Sequence, residues 1–328
     1  MLIICLMLQF ITKPVQKELD AFDKLYTNIL HVPISEFQYM LNFILKKKGK
    51  RIRPIILILS AKLCGEPTIK TIEYAVILEL LHVATLIHDD VVDNAVLRRG
   101  NPSVMAKFGN QAAVLLGDYI LSKAIKQGIE TKNFAILQVL THLAQNLCEG
   151  ELTQLIFSSK KIIDENHYFE IIRKKTAILF SVCSKIGALS VNADVKKNKT
   201  LQLIGEYLGI CFQIRDDLLD YLDSEKIGKP TKNDIKEGKI TLPLIYALKT
   251  APKAKSKPMM LIIKKQDFSS ENVQQLINFT KEQKGIEYAQ EKMLKIKTNI
   301  IELLNYFPHS EAKKSMLRLV DYIIERKK

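Results

Sequence analysis

The sequence has no tryptophan, and its 328 residues include only 13 glycines and 10 prolines. That scarcity excludes collagen-like and linker-rich chains, and no Gly/Ser/Pro-rich stretch, low-complexity run or solenoid-length repeat divides the molecule. The five cysteines, at positions 5, 64, 148, 183 and 211, form no CxxC pair and sit in apolar stretches. They argue against a zinc site or a disulfide framework and fit reduced core residues of a cytosolic protein. A Gly-rich phosphate loop, a Cys/His cluster and a nucleophile elbow are all missing, which excludes the chemistries that depend on them. No apolar run approaches the ~20 residues of a membrane span. The opening Met1–Ile11 is apolar but too short, and it has neither the basic start nor the cleavage site of a secretory signal. Residues 1–14 fit three readings equally: a misassigned start, a loose tail or a weak interfacial anchor.

Charge is plentiful and unbalanced, with 49 Lys and Arg against 35 Asp and Glu, a net +14. Such an excess raises nucleic acid or an anionic membrane as a partner. Here it is mostly lysine on helix faces, concentrated at 46–48, 196–197, 253–265 and the chain end, without interleaved aromatics. Solvated faces are the preferred reading. No nucleic-acid partner is expected, and membrane contact is at most peripheral, for product release.

What is present is helix. Hydrophobic residues make up 47% of the chain, and their spacing predicts one all-helical domain over residues 15–328. Two stretches organise it. Residues 73–93 contain no Gly or Pro and end in Asp89-Asp90-x-x-Asp93; Asp89 and Asp93, four apart, share a face, and His82 lies about two turns earlier on roughly the same side. Residues 201–220 repeat the pattern with Asp216-Asp217-x-x-Asp220. One acidic helix end is usually solvated surface. Two copies, each closing a buried helix, point to a cationic ligand, because paired carboxylates repel unless something offsets them.

Between these helices lie separated basic groups. Helices over 15–30 and 34–47 lead to Lys48-Gly49-Lys50-Arg51-Ile52-Arg53-Pro54, where Gly49 permits a turn and Pro54 suits the first position of a helix over 55–63. Cations at a helix N-terminus oppose the macrodipole unless they jointly face an anion. After Asp93, the loop carrying Arg98-Arg99-Gly100 offers either phosphate forks or ion pairs to the aspartates themselves, and both readings stand. Helices over 110–127 and 133–158 follow, the second holding the polar string Glu149-Gly-Glu151-Leu-Thr-Gln154. A single helix over 167–193 carries Lys175-Thr176. The loop 224–243, with Gly228-Lys229, Asp234 and Lys239, reads as a basic lid or as an ordinary surface loop. Residues 244–328 show further helices without distinctive chemistry.

Carboxylate pairs with phosphate-seeking cations indicate Mg²⁺ held jointly by aspartates and substrate phosphates. The chemistry then needs no protein nucleophile, since metals and cations stabilise a departing diphosphate. In order and spacing, Gly49-Lys-Arg-Ile-Arg-Pro54, the two aspartate motifs, Arg98-Arg99-Gly100, Lys175-Thr176, Phe212-Gln213, Gly228-Lys229 and Glu237-Gly-Lys239 resemble the trans-prenyltransferases, the E-type polyprenyl diphosphate synthases. The likeness runs from about residue 16 to at least 250; Lys48 stands where the family has glycine, which alters only the turn.

The resemblance implies an all-α isoprenoid synthase fold, a bundle of long antiparallel helices around a central cavity, cytoplasmic and homodimeric. It implies Mg²⁺, about three ions per active site, on Asp89, Asp93 and Asp216, with Asp90, Asp217 and Asp220 in support. Arg98, Lys175, Thr176, Gln213, Lys229 and Lys239 would hold an allylic diphosphate, and Lys50, Arg53, His82 and Arg99 isopentenyl diphosphate. The family reaction is allylic ionisation, attack by the isopentenyl double bond, then proton loss. Thr176 and the Gln213 carbonyl are suited to face the cation.

A terpene cyclase fits poorly, because its second metal motif differs. A non-catalytic subunit of a two-component synthase would be expected to lose aspartates or arginines that this chain keeps. Product length follows from the helix below Asp89, where short-chain members place an aromatic floor. Ala84 and Thr85 are small here and Leu81 comes next, so a long-chain, hexaprenyl to nonaprenyl quinone precursor is expected; geranylgeranyl or farnesyl diphosphate is the alternative, if Ala84 and Thr85 simply pack against a neighbouring helix.

Overall fold

The computed structural model describes residues 2–46, 49–98, 100–160, 163–221 and 233–326, with backbone only for 2–6, 158–160 and 233. Among these the regular structure is helical apart from a two-stranded ribbon, Leu97–Arg98 against Asn101–Pro102. The first helices are α1 (Leu2–Thr12), α2 (Gln16–Ile29), α3 (Ser35–Leu45), α4 (Ile52–Cys64) and α5 (Ile69–Val92). They are followed by α6 (Val104–Phe108), α7 (Asn110–Glu130), α8 (Phe134–Lys160), α9 (Glu165–Ile172), α10 (Ile178–Ser190) and α11 (Val195–Leu219). Then come α12 (Asn233–Lys236), α13 (Leu242–Thr250), α14 (Lys253–Lys265), α15 (Ser270–Glu282), α16 (Gly285–Leu304) and α17 (Glu311–Glu325). None of the described helices is long and apolar enough to cross a membrane.

Long helices need starts, and the sequence supplies them. The Thr68 amide donates to Thr71 Oγ1 at the head of α5, and Asp194 Oδ1 accepts the Lys197 amide at the head of α11. Helix α10 packs against α4, α5 and α11, while α5 also lies along α7 and α11 along α16. Their apolar faces merge into one core, and a smaller cluster around Tyr221, Ile235, Leu244 and Leu276 gathers α12, α13 and α15. At the N-terminus, Ile11 is buried and α1 lies against α17.

Two local expectations need correction. Helix α4 begins at Ile52 rather than Ile55, so Pro54 occupies its third position, still within the first turn where a missing N–H costs no helical bond. The single helix expected over 167–193 is interrupted: residues Arg173–Ala177 form a π-helical turn between α9 and α10. No residue type within the segment announces it. The cause is packing, since two glycines on neighbouring helices bring backbone against it. A Cβ on Gly150 of α8 would lie 3.0 Å from the Lys175 amide nitrogen, and one on Gly209 of α11 would lie 2.5 Å from Ala177 Cα.

Candidate active site

Each aspartate motif divides its labour. In the first, Asp90 is 3% exposed and takes both oxygens to Arg98, whose Nε donates at 2.7 and 2.8 Å. Of the two readings open for Arg98, the structure shows the ion pair, with the ribbon at 97–102 turning the arginine back onto α5. At the same helix end Asp89 is half-buried and Asp93 exposed. Burial, then the charge of Glu151, pushes the Asp89 carboxyl up to about 6, against the pull of Lys175 and Arg98.

The second motif repeats the arrangement. Asp217 is buried; Tyr168 donates to Oδ2 at 2.6 Å and Gln213 Nε2 to Oδ1 at 2.8 Å. Burial raises it to about 8, with Asp234 adding to the effect. Asp216 accepts from Arg326 Nη2 at 2.6 Å. Asp220 accepts the Asp234 amide at 2.6 Å and is raised to about 7 by burial and by the Asp234 charge.

The π turn delivers the chemistry between them. A π turn rotates the side chains that follow it relative to an α-helix, and such turns recur at functional sites. Lys175 Nζ lies 2.7 Å from Glu151 Oε1 and 3.4 Å from Gln154 Oε1. Thr176 Oγ1 donates to Gln213 Oε1 at 2.7 Å. Thr176, Gln213, Asp217 and Tyr168 therefore form one chain of hydrogen bonds from the cavity into the core. Lys239, despite burial that opposes its charge, is held cationic by Glu237, Asp234 and Asp93. A cavity of about 520 Å³ is lined by Lys175, Thr176, Gln213, Asp217, Asp234 and Lys239.

On the other side of Asp216, the basic turn meets the chain end. Lys50 Nζ lies 5.5 Å from the Tyr322 ring centre, Arg53 5.4 Å from that of Phe180, and Arg326 3.9 Å from that of Phe212. Phe180 and Phe212 are themselves 5.1 Å apart, so Arg53 and Arg326 share one aromatic pair while Lys50 lies over Tyr322. His82 is buried on α5. Of the chain-length residues, Leu81 and Ala84 are buried and Thr85 is half-buried, its hydroxyl donating to the His82 carbonyl. Arg99 and Lys229 lie outside the described residues.

Three contributors escape the sequence patterns. Arg326 stands in a basic tail 110 residues from its partner Asp216, Tyr168 is a lone tyrosine, and Asp234 resembled loop polarity. Glu151 and Gln154 were visible as a polar string, though not as partners of Lys175. The donor set fits a hard cation: carboxylate oxygens, two of them raised by burial and like charge. No group of three or more His, Cys, Asp or Glu that could cage a metal occurs among the described residues. Mg²⁺ needs no such cage, since it takes one or two carboxylates and completes its shell with water and substrate phosphate.

The chain matches the polyprenyl synthetase family model over residues 34–280. The chain belongs to that family. It is 33% identical over 285 residues to the octaprenyl diphosphate synthase of Haemophilus influenzae, covering 87% of this chain and 86% of the relative. Among solved structures, polyprenyl synthase from Caulobacter crescentus, complexed with calcium and isoprenyl diphosphate, superposes with a TM-score of 0.90 at 27% identity, covering 98% of both chains. Geranylgeranyl pyrophosphate synthase from Bacteroides thetaiotaomicron gives 0.84 at 38% identity, over 98% of this chain and 99% of that one. The expected all-α isoprenoid synthase fold is thus borne out, and this polyprenyl synthetase is a prenyltransferase of isoprenoid biosynthesis.

Proposed function

We propose that the chain condenses isopentenyl diphosphate with an allylic diphosphate, using Mg²⁺, to make a long-chain all-trans-polyprenyl diphosphate. The observation that carries this reading is the presence of two carboxylate sets, Asp89/Asp93 and Asp216/Asp220, around shared cations, with Lys175 acting on Asp89 and Asp234 and Lys239 on Asp93 and Asp234. Mg²⁺ on those carboxylates, about three ions by family expectation, would neutralise the departing diphosphate. The chain's own residues do the rest. Lys175, Lys239 and Arg98 place cationic donors beside the allylic diphosphate, where they favour cleavage of its C–O bond. The Thr176 hydroxyl oxygen and the Gln213 carbonyl, fixed through Asp217 and Tyr168, turn partial negative charge toward the allylic cation. Lys50, Arg53 and His82 orient isopentenyl diphosphate so that its double bond meets the cation; loss of a proton then completes the product. Arg99 and Lys229 are assigned the same roles by family position alone.

Long product length is supported by the absence of an aromatic side chain at Ala84 and Thr85. Of the two, Thr85 is half-buried and Ala84 buried. A homodimer is supported by the exposed apolar row Leu115, Ile125 and Ile129 on α7, with Phe134, Leu152 and Leu155 on α8. Incubation with labelled isopentenyl diphosphate, geranyl or farnesyl diphosphate and Mg²⁺, followed by chromatography, tests both activity and length. Products of six to nine isoprene units support the reading, and a product ending at geranylgeranyl overturns the length assignment. No incorporation at all would leave the non-catalytic subunit as the better description.

A further inference from the structure

Arg51 stands between Lys50 and Arg53 in the basic turn, and residue type alone does not separate it from them. Its surroundings do. Its backbone is left-handed, with φ 53°, a region that residues other than glycine hold only where neighbours over-determine it. Nη1 donates to Glu79 Oε1 at 3.0 Å and Nη2 to Asp23 Oδ1 at 3.3 Å. The guanidinium also lies 5.2 Å from the ring centre of Phe22 and 4.9 Å from that of Tyr26. It is therefore turned toward α2 and α5, whereas Lys50 and Arg53 leave the same turn toward Tyr322 of α17 and Phe180 of α10. With two carboxylates and two rings as partners, the charge of Arg51 is already committed.

The other end of this contact matters more. Glu79 is nearly buried, its side chain 9% exposed, and sits three residues before His82 on α5. One ion pair thus ties the basic turn to the helix that carries His82. Without it, a left-handed residue flanked by cations has every reason to relax, and Lys50 and Arg53 would lose their register with His82.

We propose that Arg51 is a positioning residue for isopentenyl diphosphate. Locked to Glu79, it fixes the turn so that Lys50, Arg53 and His82 present their donors to a single diphosphate. The proposal rests on the assignment of those three residues to that substrate. Arg51→Lys keeps the charge but loses the planar guanidinium that meets Glu79 through Nη1 while lying over Phe22 and Tyr26. Glu79→Gln keeps the shape and removes the charge, and it carries the test should Arg51→Lys fail to fold. Asp23→Asn, at the more exposed arm, is the control.

The expected result for Arg51→Lys and Glu79→Gln is an apparent KM for isopentenyl diphosphate raised on the order of tenfold, with kcat and the allylic KM within about threefold of wild type. Calorimetric titration with isopentenyl diphosphate, without primer, should show the same loss of affinity, and Asp23→Asn should change neither. An unchanged isopentenyl KM with a lowered Tm would reduce Arg51 to a staple between α2 and α5 and overturn the proposal. Equal rises in both KM values with a fall in kcat would overturn it as well, since that is collapse of the whole site. A wild-type protein that neither binds nor condenses isopentenyl diphosphate would instead remove the substrate assignment itself.

Discussion

Replacing Gly209 by alanine tests whether the π turn at 173–177 is built by close approach of α11. A Cβ at this position would lie 2.5 Å from Ala177 Cα, 3.0 Å from Ala177 Cβ and 3.2 Å from Phe180 Cβ. Carbon atoms attract best at ~3.5–4.0 Å, so all three contacts are repulsive, and the nearest atom is backbone that no rotamer change can move. Overpacking of this kind costs ~1–3 kcal/mol, and a backbone clash belongs at the upper end. Alanine returns ~1 kcal/mol of helix propensity. The net destabilisation is about 2 kcal/mol, or a Tm lower by about 3 °C for a chain of this length. The functional effect exceeds the stability effect, because Gln213 lies one turn along α11 and its 2.7 Å bond from Thr176 spans the same contact. A displacement near 1 Å at such a site costs up to ~10²-fold in rate. Thermal denaturation together with kcat on an allylic substrate and isopentenyl diphosphate measures both. A Gly209→Ala protein with raised Tm and unchanged kcat would refute the account, since propensity would then have won over contact.

The adjacent aspartates should separate: Asp216→Asn is expected to lower kcat by ~10³-fold or more through loss of a metal carboxylate, and Asp217→Asn, which keeps an acceptor for Tyr168 but turns an N–H toward Gln213 Nε2, by ~10–100-fold; equal losses would contradict the division of labour. Thr85→Phe should shorten the product while condensation continues, whereas Ala84→Phe, at a buried position, should also lower stability by ~1–3 kcal/mol; chromatography showing an unchanged product from both would remove this face from the chain's path. Without metal, stability should fall as pH rises. Asp89, Asp220 and Asp217 sit near 6, 7 and 8, above their unfolded values, so the native state binds more protons than the unfolded chain over that range. Their stabilising contribution is complete below about pH 4 and lost by about pH 8. Tm measured across that interval should decline less steeply in Asp217→Asn and in the presence of Mg²⁺ with inorganic diphosphate; parallel curves would mean these carboxylates are not the source.

The sequence by itself determined the helices and which carboxylates share a helix face. Apolar spacing with no Gly or Pro across 73–93 leaves a helix as the one arrangement that buries those residues, and a four-residue interval then sets Asp89 with Asp93 and Asp216 with Asp220 on common faces, because helical geometry is local. Which carboxylate of each motif is buried was decided only in three dimensions: Asp90 is enclosed by Arg98 and Asp217 by Tyr168 from other elements, with Gln213 one turn back on the same helix, while Asp89 and Asp216 stay half-buried. The π turn likewise has no sequence of its own and packs closely against Gly150 and Gly209 of two neighbouring helices. Arg326 meets Asp216 across 110 residues, and Arg51 was one cation among three until α2 and α5 supplied its carboxylates and rings. Local periodicity records what a residue's own helix does with it, while partners drawn from distant helices are fixed by packing alone.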